Sequence, residues 1–285
     1  MQQKIILSAD SSCDLGPALL SEHQVHLFPF TVLLDGNAYS DGIDITPDDI
    51  YHTWWNKKVL PTTAAVNENQ YDSHFRQWTE QGYAVIHISL ASALSSAYQN
   101  ACLAAQSLPN VYVIDSCSLS TGSGLLVLQA ADRIARGMEA EQIYREVSAL
   151  TQKTQASFLL DTLEFMPAGG RCSSVAKLGV NMLHIKPCIQ VHPDDSGSMG
   201  MGKLYRGKLD RCLQKYVRDV LAHPEQIDTS RAFITHSGID DAILQAVFRT
   251  VSELVPFEHI YTTRAGCTVS SHCGPNTLGV LYLRK

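Results

Sequence analysis

Tyr83-Ala84-Val85-Ile86-His87-Ile88-Ser89, running into Leu90-Ala91-Ser92-Ala93-Leu94-Ser95-Ser96-Ala97-Tyr98, is the stretch that sets the fold class. Its first part is a short apolar, β-branched run and predicts a strand. Its second part opens a stripe of Leu94, Ala97, Tyr98, Ala101, Ala105 and Leu108, spaced as one face of a helix. The same rhythm extends outward on both sides. Lys4–Ser8, Val25–Leu34 and Val111–Asp115 are further strand candidates. Thr46-Pro47-Asp48-Asp49 places a capping threonine before a proline and two acids, the usual opening of a helix. Asn67 to Gln81, ending at Gly82, sets Tyr71, His74, Phe75 and Trp78 on one face. Leu125, Leu128, Ala131, Ile134 and Ala135 form another stripe, stopped by Gly137. Strand–helix alternation of this kind predicts an α/β fold, with a mostly parallel sheet and flanking helices.

After the polar segment Thr151–Gln155 the rhythm changes. Strands are expected at Ser157–Leu160, His184–His192, Lys203–Tyr205, Ala232–Thr235, His259–Thr263 and Val280–Leu283, and helices at Lys208–Ala222 and Asp240–Leu254. Pro193-Asp194-Asp195-Ser196-Gly197 is rich in turn residues and predicts an antiparallel hairpin. At 285 residues the chain exceeds the usual length of one domain. The expectation is an N-terminal α/β domain over 1–155 and a C-terminal α+β domain with a mixed sheet over 156–285.

Composition excludes several functions. A net charge of −6 gives no basic face for nucleic acid. No apolar stretch reaches the ~20 residues that span a bilayer. Ile5-Ile6-Leu7 is too short for a signal-peptide core, so a cytoplasmic location is expected. The eight cysteines include no Cys-x-x-Cys pair, which argues for reduced thiols and against a zinc site. Gly197, Gly200 and Gly202 do not sit between a strand and a helix, so no dinucleotide loop is expected.

Candidate chemistry gathers at strand ends, where open α/β sheets bind ligands. Ser8-Ala9-Asp10-Ser11-Ser12, Ser89 through Ser96 and Asp115-Ser116-Cys117-Ser118 are three such ends. Ser92 is expected to cap a helix whose first turn contains Leu94 and Ser95, a terminus suited to an anion. Taken alone, Ser95 fits an ordinary capped turn better than an anion site. Pro61-Thr62-Thr63 by itself is a turn, Gly169-Gly170-Arg171 a loop with a solvated cation, and His272 a structural hydrogen-bonder among Ser270, Ser271 and Gly274.

In chain order, these segments are more specific. Ser8 through Leu15, Pro61-Thr62-Thr63, Ile88 through Gln99, Val113-Ile114-Asp115-Ser116, Gly169-Gly170-Arg171, Lys186-Pro187 and His272-Cys273-Gly274-Pro275 resemble the motifs of the DegV family of fatty-acid-binding proteins. The resemblance implies a two-domain α/β protein that holds a long-chain fatty acid in an internal tunnel. It implies that Thr63 and Ser95 meet the carboxylate, with Arg171 and His272 as the cationic side of the head-group site. It further implies that a separate ATP-binding fatty acid kinase subunit phosphorylates the carboxylate to an acyl phosphate, with no cofactor and no metal in this chain. The pattern is departed from at Ala93, Ser96 and Ala97, where the family often has Gly, Gly and Thr, at Ala64 and Val66, and at Cys273 in place of threonine. The competing expectation is a stand-alone serine hydrolase or acyl transferase, with Ser95 as nucleophile, His272 as base and Asp10 or Asp115 as the third member. It lacks the Gly-x-Ser-x-Gly elbow.

Overall fold

The computed structural model describes residues 3–172 and 185–285. The opening alternation folds as the spacing predicts. Strands β1 (Ile5–Asp10), β2 (Val25–Phe28), β6 (Ala84–Ser89) and β7 (Val111–Asp115) form a sheet in the order β2-β1-β6-β7. All its pairings are parallel, with Ser8 opposite His87 and Ser89 opposite Asp115. Every residue of β6 is buried, as a central parallel strand covered on both faces requires. Helices α1 (Pro17–Glu22), α2 (Pro47–Lys57), α3 (Glu68–Thr79), α4 (Ala97–Ala105), α5 (Thr121–Ala135) and α6 (Ala140–Leu150) belong to the same half of the chain. Thr46 and Asn67 each close a capping box, at α2 and α3 respectively.

One expected strand is two. The run Val25–Leu34 breaks at Pro29, which has no N–H to continue a ladder. Its second part is β3 (Thr31–Leu34), which leaves the parallel sheet and pairs with β4 (Asn37–Ser40) and β5 (Thr62–Ala64). The β3–β4 turn is Asp35-Gly36, with φ of 49° and 79°. Such a pair of positive φ values is what a tight hairpin needs. In this three-stranded sheet β5 is an edge strand.

The second half builds a seven-stranded mixed sheet from β8 (Thr154–Gln155), β9 (Ser157–Leu159), β10 (Ile185–His192), β11 (Ser198–Arg206), β12 (Ile227–His236), β13 (His259–Arg264) and β14 (Leu278–Arg284). The expected hairpin is β10–β11, antiparallel across Pro193–Asp195. The expected strand start at His184 lies outside the described residues. Strands β12 and β13 run parallel, joined by α9 (Asp241–Leu254), while α8 (Leu209–Val220) packs on β10, β11 and β14. Two short helices complete the chain, α7 (Phe165–Gly169) and α10 (Cys267–Cys273).

Helix α5 is the hinge of the packing. Its first eight residues, Thr121–Leu128, are all buried, and it touches β1 and β6 of one sheet as well as β12 and β14 of the other. The largest apolar cluster accordingly mixes Ile86 and Ile88 with Phe158, Phe233 and Leu281. The space between the sheets, beside α5 and α10, is where the cavity lies.

Candidate functional site

The C-terminal ends of β1, β6 and β7 deliver three loops to one place, and a buried carboxylate fixes two of them. Asp10, the last residue of β1, is 1 % exposed. Its oxygens accept hydrogen bonds from Tyr71 Oη at 2.6 Å, Ser89 Oγ at 2.8 Å and the Leu90 amide at 2.8 Å. Burial alone would raise the Asp10 pKa, but the hydrogen bonds from His87, Tyr71 and Leu90 and the neighbouring imidazole hold it below the usual carboxylate range. Ser8 Oγ links His87 Nδ1 to His74 Nε2 at 2.9 and 2.8 Å, so the network continues under α3. Its structural result is to anchor the start of the loop that carries Ser95.

That loop departs from the expected geometry. Ser92 does not cap a helix; its amide donates to Asp115 Oδ1 at 3.1 Å, at the end of the neighbouring strand β7. The Leu94 amide bonds Ala91 O at 2.9 Å, which closes a turn, and α4 begins only at Ala97. Ser95 is therefore outside the helix, and its Oγ accepts from the Ala97 amide at 3.2 Å. A hydroxyl that accepts this bond keeps its own proton available for a ligand.

Thr63 comes from the β5 edge, not from a free turn, and is half-buried. Its Oγ1 lies 2.8 Å from Nε2 of His272, in the last turn of α10. With the imidazole proton on Nε2, the histidine donates to Thr63 and leaves the threonine hydroxyl free to donate onward. Burial pushes the His272 pKa down to about 4, helped by the nearby Arg171 charge, so the ring is neutral at neutral pH. His272 therefore does not supply the positive charge expected of it. His272 Nδ1 has no hydrogen-bond partner among the described residues. It faces Gly169, where an added Cβ would come within 2.0 Å of it.

Gly169 and Arg171 are also not the open loop expected of them. Gly169 ends α7, Gly170 turns the chain with φ of +68°, and Arg171 folds back to donate from Nη1 to Gly169 O at 2.5 Å. Its Nε also reaches Leu94 O at 3.4 Å, beside Ser95. Thr63, Ser95, Arg171 and His272 thus line the mouth of one cavity, though they come from four separate segments.

Behind the mouth the walls are apolar. This first chamber encloses about 600 Å³, part of it open to solvent, with Phe30, Leu90, Leu94, Met166 and Met199 among its lining. A second chamber, about 350 Å³ counting the part open to solvent, shares Leu119, Phe158, Val269 and Cys273 with the first. Those four shared residues mark the waist, where the two chambers adjoin. The second continues toward Gly279 and Leu281 between α10 and the mixed sheet. Sequence reasoning named none of the waist residues except Cys273. Ser12 of the first chamber lay in one of the strand-end hydroxyl clusters, and Thr268 was missed.

Serine-hydrolase geometry is not assembled. Asp10 is engaged with His87, Tyr71, Ser89 and Leu90, and Asp115 accepts from the Ser92 and Cys117 amides. Among the described residues, no carboxylate hydrogen-bonds His272, so the orienting member of a triad is missing. No group of three or more metal-ligating side chains occurs among the described residues, all eight cysteines are free, and no described helix is long and apolar enough to cross a membrane.

Comparison with known proteins adds four findings. Residues 4–285 match the family model described as "Uncharacterised protein, DegV family". A DegV domain-containing protein of Clostridium acetobutylicum is 27% identical over 288 residues, covering 99% of each chain. A solved structure described as fatty acid binding of a DegV family protein from Thermus thermophilus is similar, with a TM-score of 0.87, 28% identity, and coverage of 99% of this chain and 100% of that one. A stearic acid-binding protein from Eubacterium ventriosum superimposes with a TM-score of 0.83 at 27% identity, covering 99% and 98%.

Proposed function

Since the chain belongs to the DegV family, we propose that it binds a long-chain fatty acid in the two-chambered bore and presents the carboxylate at the mouth to a separate ATP-dependent kinase subunit. The observation that carries the first half is a polar mouth, with Thr63 and Ser95, opening on an apolar chamber that adjoins a second at Leu119, Phe158, Val269 and Cys273. A fatty acid needs both environments. Each buried methylene is worth ~0.8 kcal/mol, so a tail of about fourteen gives on the order of 11 kcal/mol before ordering and association costs. A carboxylate tolerates leaving water only where donors replace it. The Ser95 and Thr63 hydroxyls are such donors, and exposed Arg171 supplies positive charge beside them.

The two described relatives bind fatty acids by their own descriptions, which supports the same ligand class here. The kinase step rests on the family resemblance and on the placement of the head group at an open mouth. Arg171 serves the more highly charged acyl phosphate, and neutral His272 holds Thr63 in place. The division near residue 155 belongs to the same proposal, as the seam between the parallel and the mixed sheet.

Titration with hexadecanoate tests the binding half. Ser95→Ala is expected to lose about tenfold in affinity, the effect of one charge-assisted hydrogen bond. Undiminished affinity would contradict it. With a fatty acid kinase added, Arg171→Ala should bind hexadecanoate yet form little acyl phosphate; normal turnover would refute the presentation step.

A further inference from the structure

Two hydroxyls in the first chamber take no part in the reading above. Ser12, in the turn after β1, is 1 % exposed, and Thr268, in the first turn of α10, is 4 % exposed. Both line the chamber. Neither Ser12 Oγ nor Thr268 Oγ1 has a hydrogen-bond partner among the described residues. Native interiors pair nearly all such atoms, because a buried hydroxyl without a partner is costly. An exception in a cavity wall therefore marks where a bound molecule supplies the partner.

The two segments are tied to each other. Asp41 Oδ2 accepts from Ser11 Oγ at 2.9 Å and from the Thr268 amide at 3.2 Å, so one carboxylate oxygen links the Ser11 side chain to the backbone of α10. Thr268 precedes His272 by four residues, one helical turn or about 6 Å along α10. Thr268 is thus roughly a turn away from His272, and Ser12 lines the same chamber. They are also buried, whereas Thr63 and Ser95 are half-buried and Arg171 is exposed. The carboxylate is held at the open end. A saturated tail passing Ser12 and Thr268 offers them nothing.

We propose, building on the fatty-acid reading, that the preferred ligand is a long-chain acid bearing an oxygen substituent on one of its first few carbons, received by Ser12 and Thr268. Each hydroxyl both donates and accepts, so either can pair with a hydroxyl on the chain. The selectivity arises because the oxygenated chain satisfies atoms that the plain chain leaves unpaired.

The test is a calorimetric titration with hexadecanoate, 3-hydroxyhexadecanoate and 16-hydroxyhexadecanoate. The 3-hydroxy acid is expected to bind about tenfold tighter than hexadecanoate, and the 16-hydroxy acid to gain nothing. Thr268→Val and Ser12→Ala should bring the ratio to one or below, and Thr268→Ser should keep it. Equal binding of hexadecanoate and the 3-hydroxy acid to the unaltered protein would overturn the inference, whatever becomes of the variants. Equal weakening of both acids by Thr268→Val would also overturn it, by assigning these hydroxyls to the carboxylate. Those outcomes leave the fatty-acid reading standing; binding of none of the acids would overturn both.

Discussion

Thr63 Oγ1 and His272 Nε2 meet at 2.8 Å, a hydrogen bond between side chains 209 positions apart. It joins the edge strand β5 to the last turn of α10 and brings a free hydroxyl to the mouth of an apolar bore. Thr63→Val removes that hydroxyl and leaves both ring nitrogens of His272 unpaired. The expected result is a roughly tenfold loss of hexadecanoate affinity and a stability loss of about 1–3 kcal/mol. Calorimetric titration and denaturant unfolding measure the two effects separately.

Gly169 makes room for that imidazole, since a Cβ there would come within 2.0 Å of His272 Nδ1. Gly169→Ala must therefore displace the ring. Overpacking of this kind costs about 1–3 kcal/mol. Fatty-acid affinity should fall with stability, because moving His272 also releases Thr63. A variant as stable and as tight-binding as the parent would show that the ring is not held there.

The alternation around Tyr83–Tyr98 was enough to read the parallel sheet, because strand and helix periods are local properties of the chain. The hairpin β10–β11 was equally legible in its turn residues. Other features depend on partners remote in sequence. The Ser92 amide is taken by Asp115 from the next strand, which delays the helix to Ala97 and leaves Ser95 ahead of it. Pro61-Thr62-Thr63 resembles a turn until β3, some thirty residues earlier, supplies its ladder. Asp35-Gly36 carried a readable hairpin signal that the long run Val25–Leu34 obscured. The four mouth residues came from the family resemblance, since no local pattern sets them apart. Ser12 stood in a strand-end hydroxyl cluster but nothing set it apart there, and Thr268 left no trace, because a missing partner exists only in three dimensions.

The waist gives the proposed binding a dependence on chain length. Cys273 is 4 % exposed and borders both chambers. Cys273→Phe should fill the passage. Hexadecanoate affinity is expected to drop by more than tenfold, roughly the worth of two or more buried methylenes, while decanoate loses much less. Titration with a series of saturated acids reads this directly. Uniform weakening across the series would place the tail elsewhere.

Asp14 supplies a pH signature. Burial, with the Asp41 charge nearby, raises its pKa to about 7, although Ser120 Oγ at 2.5 Å and the Gly266 amide at 2.8 Å oppose the shift. The folded-state value thus exceeds the unfolded one, so the folded state binds more protons between pH about 4 and about 7. Its contribution to stability is complete below that window and lost as the pH rises through it, on the order of a few kcal/mol. Buried His272 and His74, held neutral, give the opposite slope over part of the range. The comparison must therefore be between the parent and Asp14→Asn. Urea unfolding across the window should show the parent losing stability relative to Asp14→Asn as pH rises; parallel curves would contradict the assignment.

Native mass spectrometry of the protein as purified from its expression host probes the proposed ligand most directly. The account predicts an added mass equal to a long-chain fatty acid, plain or oxygenated, and its loss in a protein carrying both Thr63→Val and Ser95→Ala. A parent protein that carries no such mass, and takes up none when incubated with hexadecanoate, would contradict it.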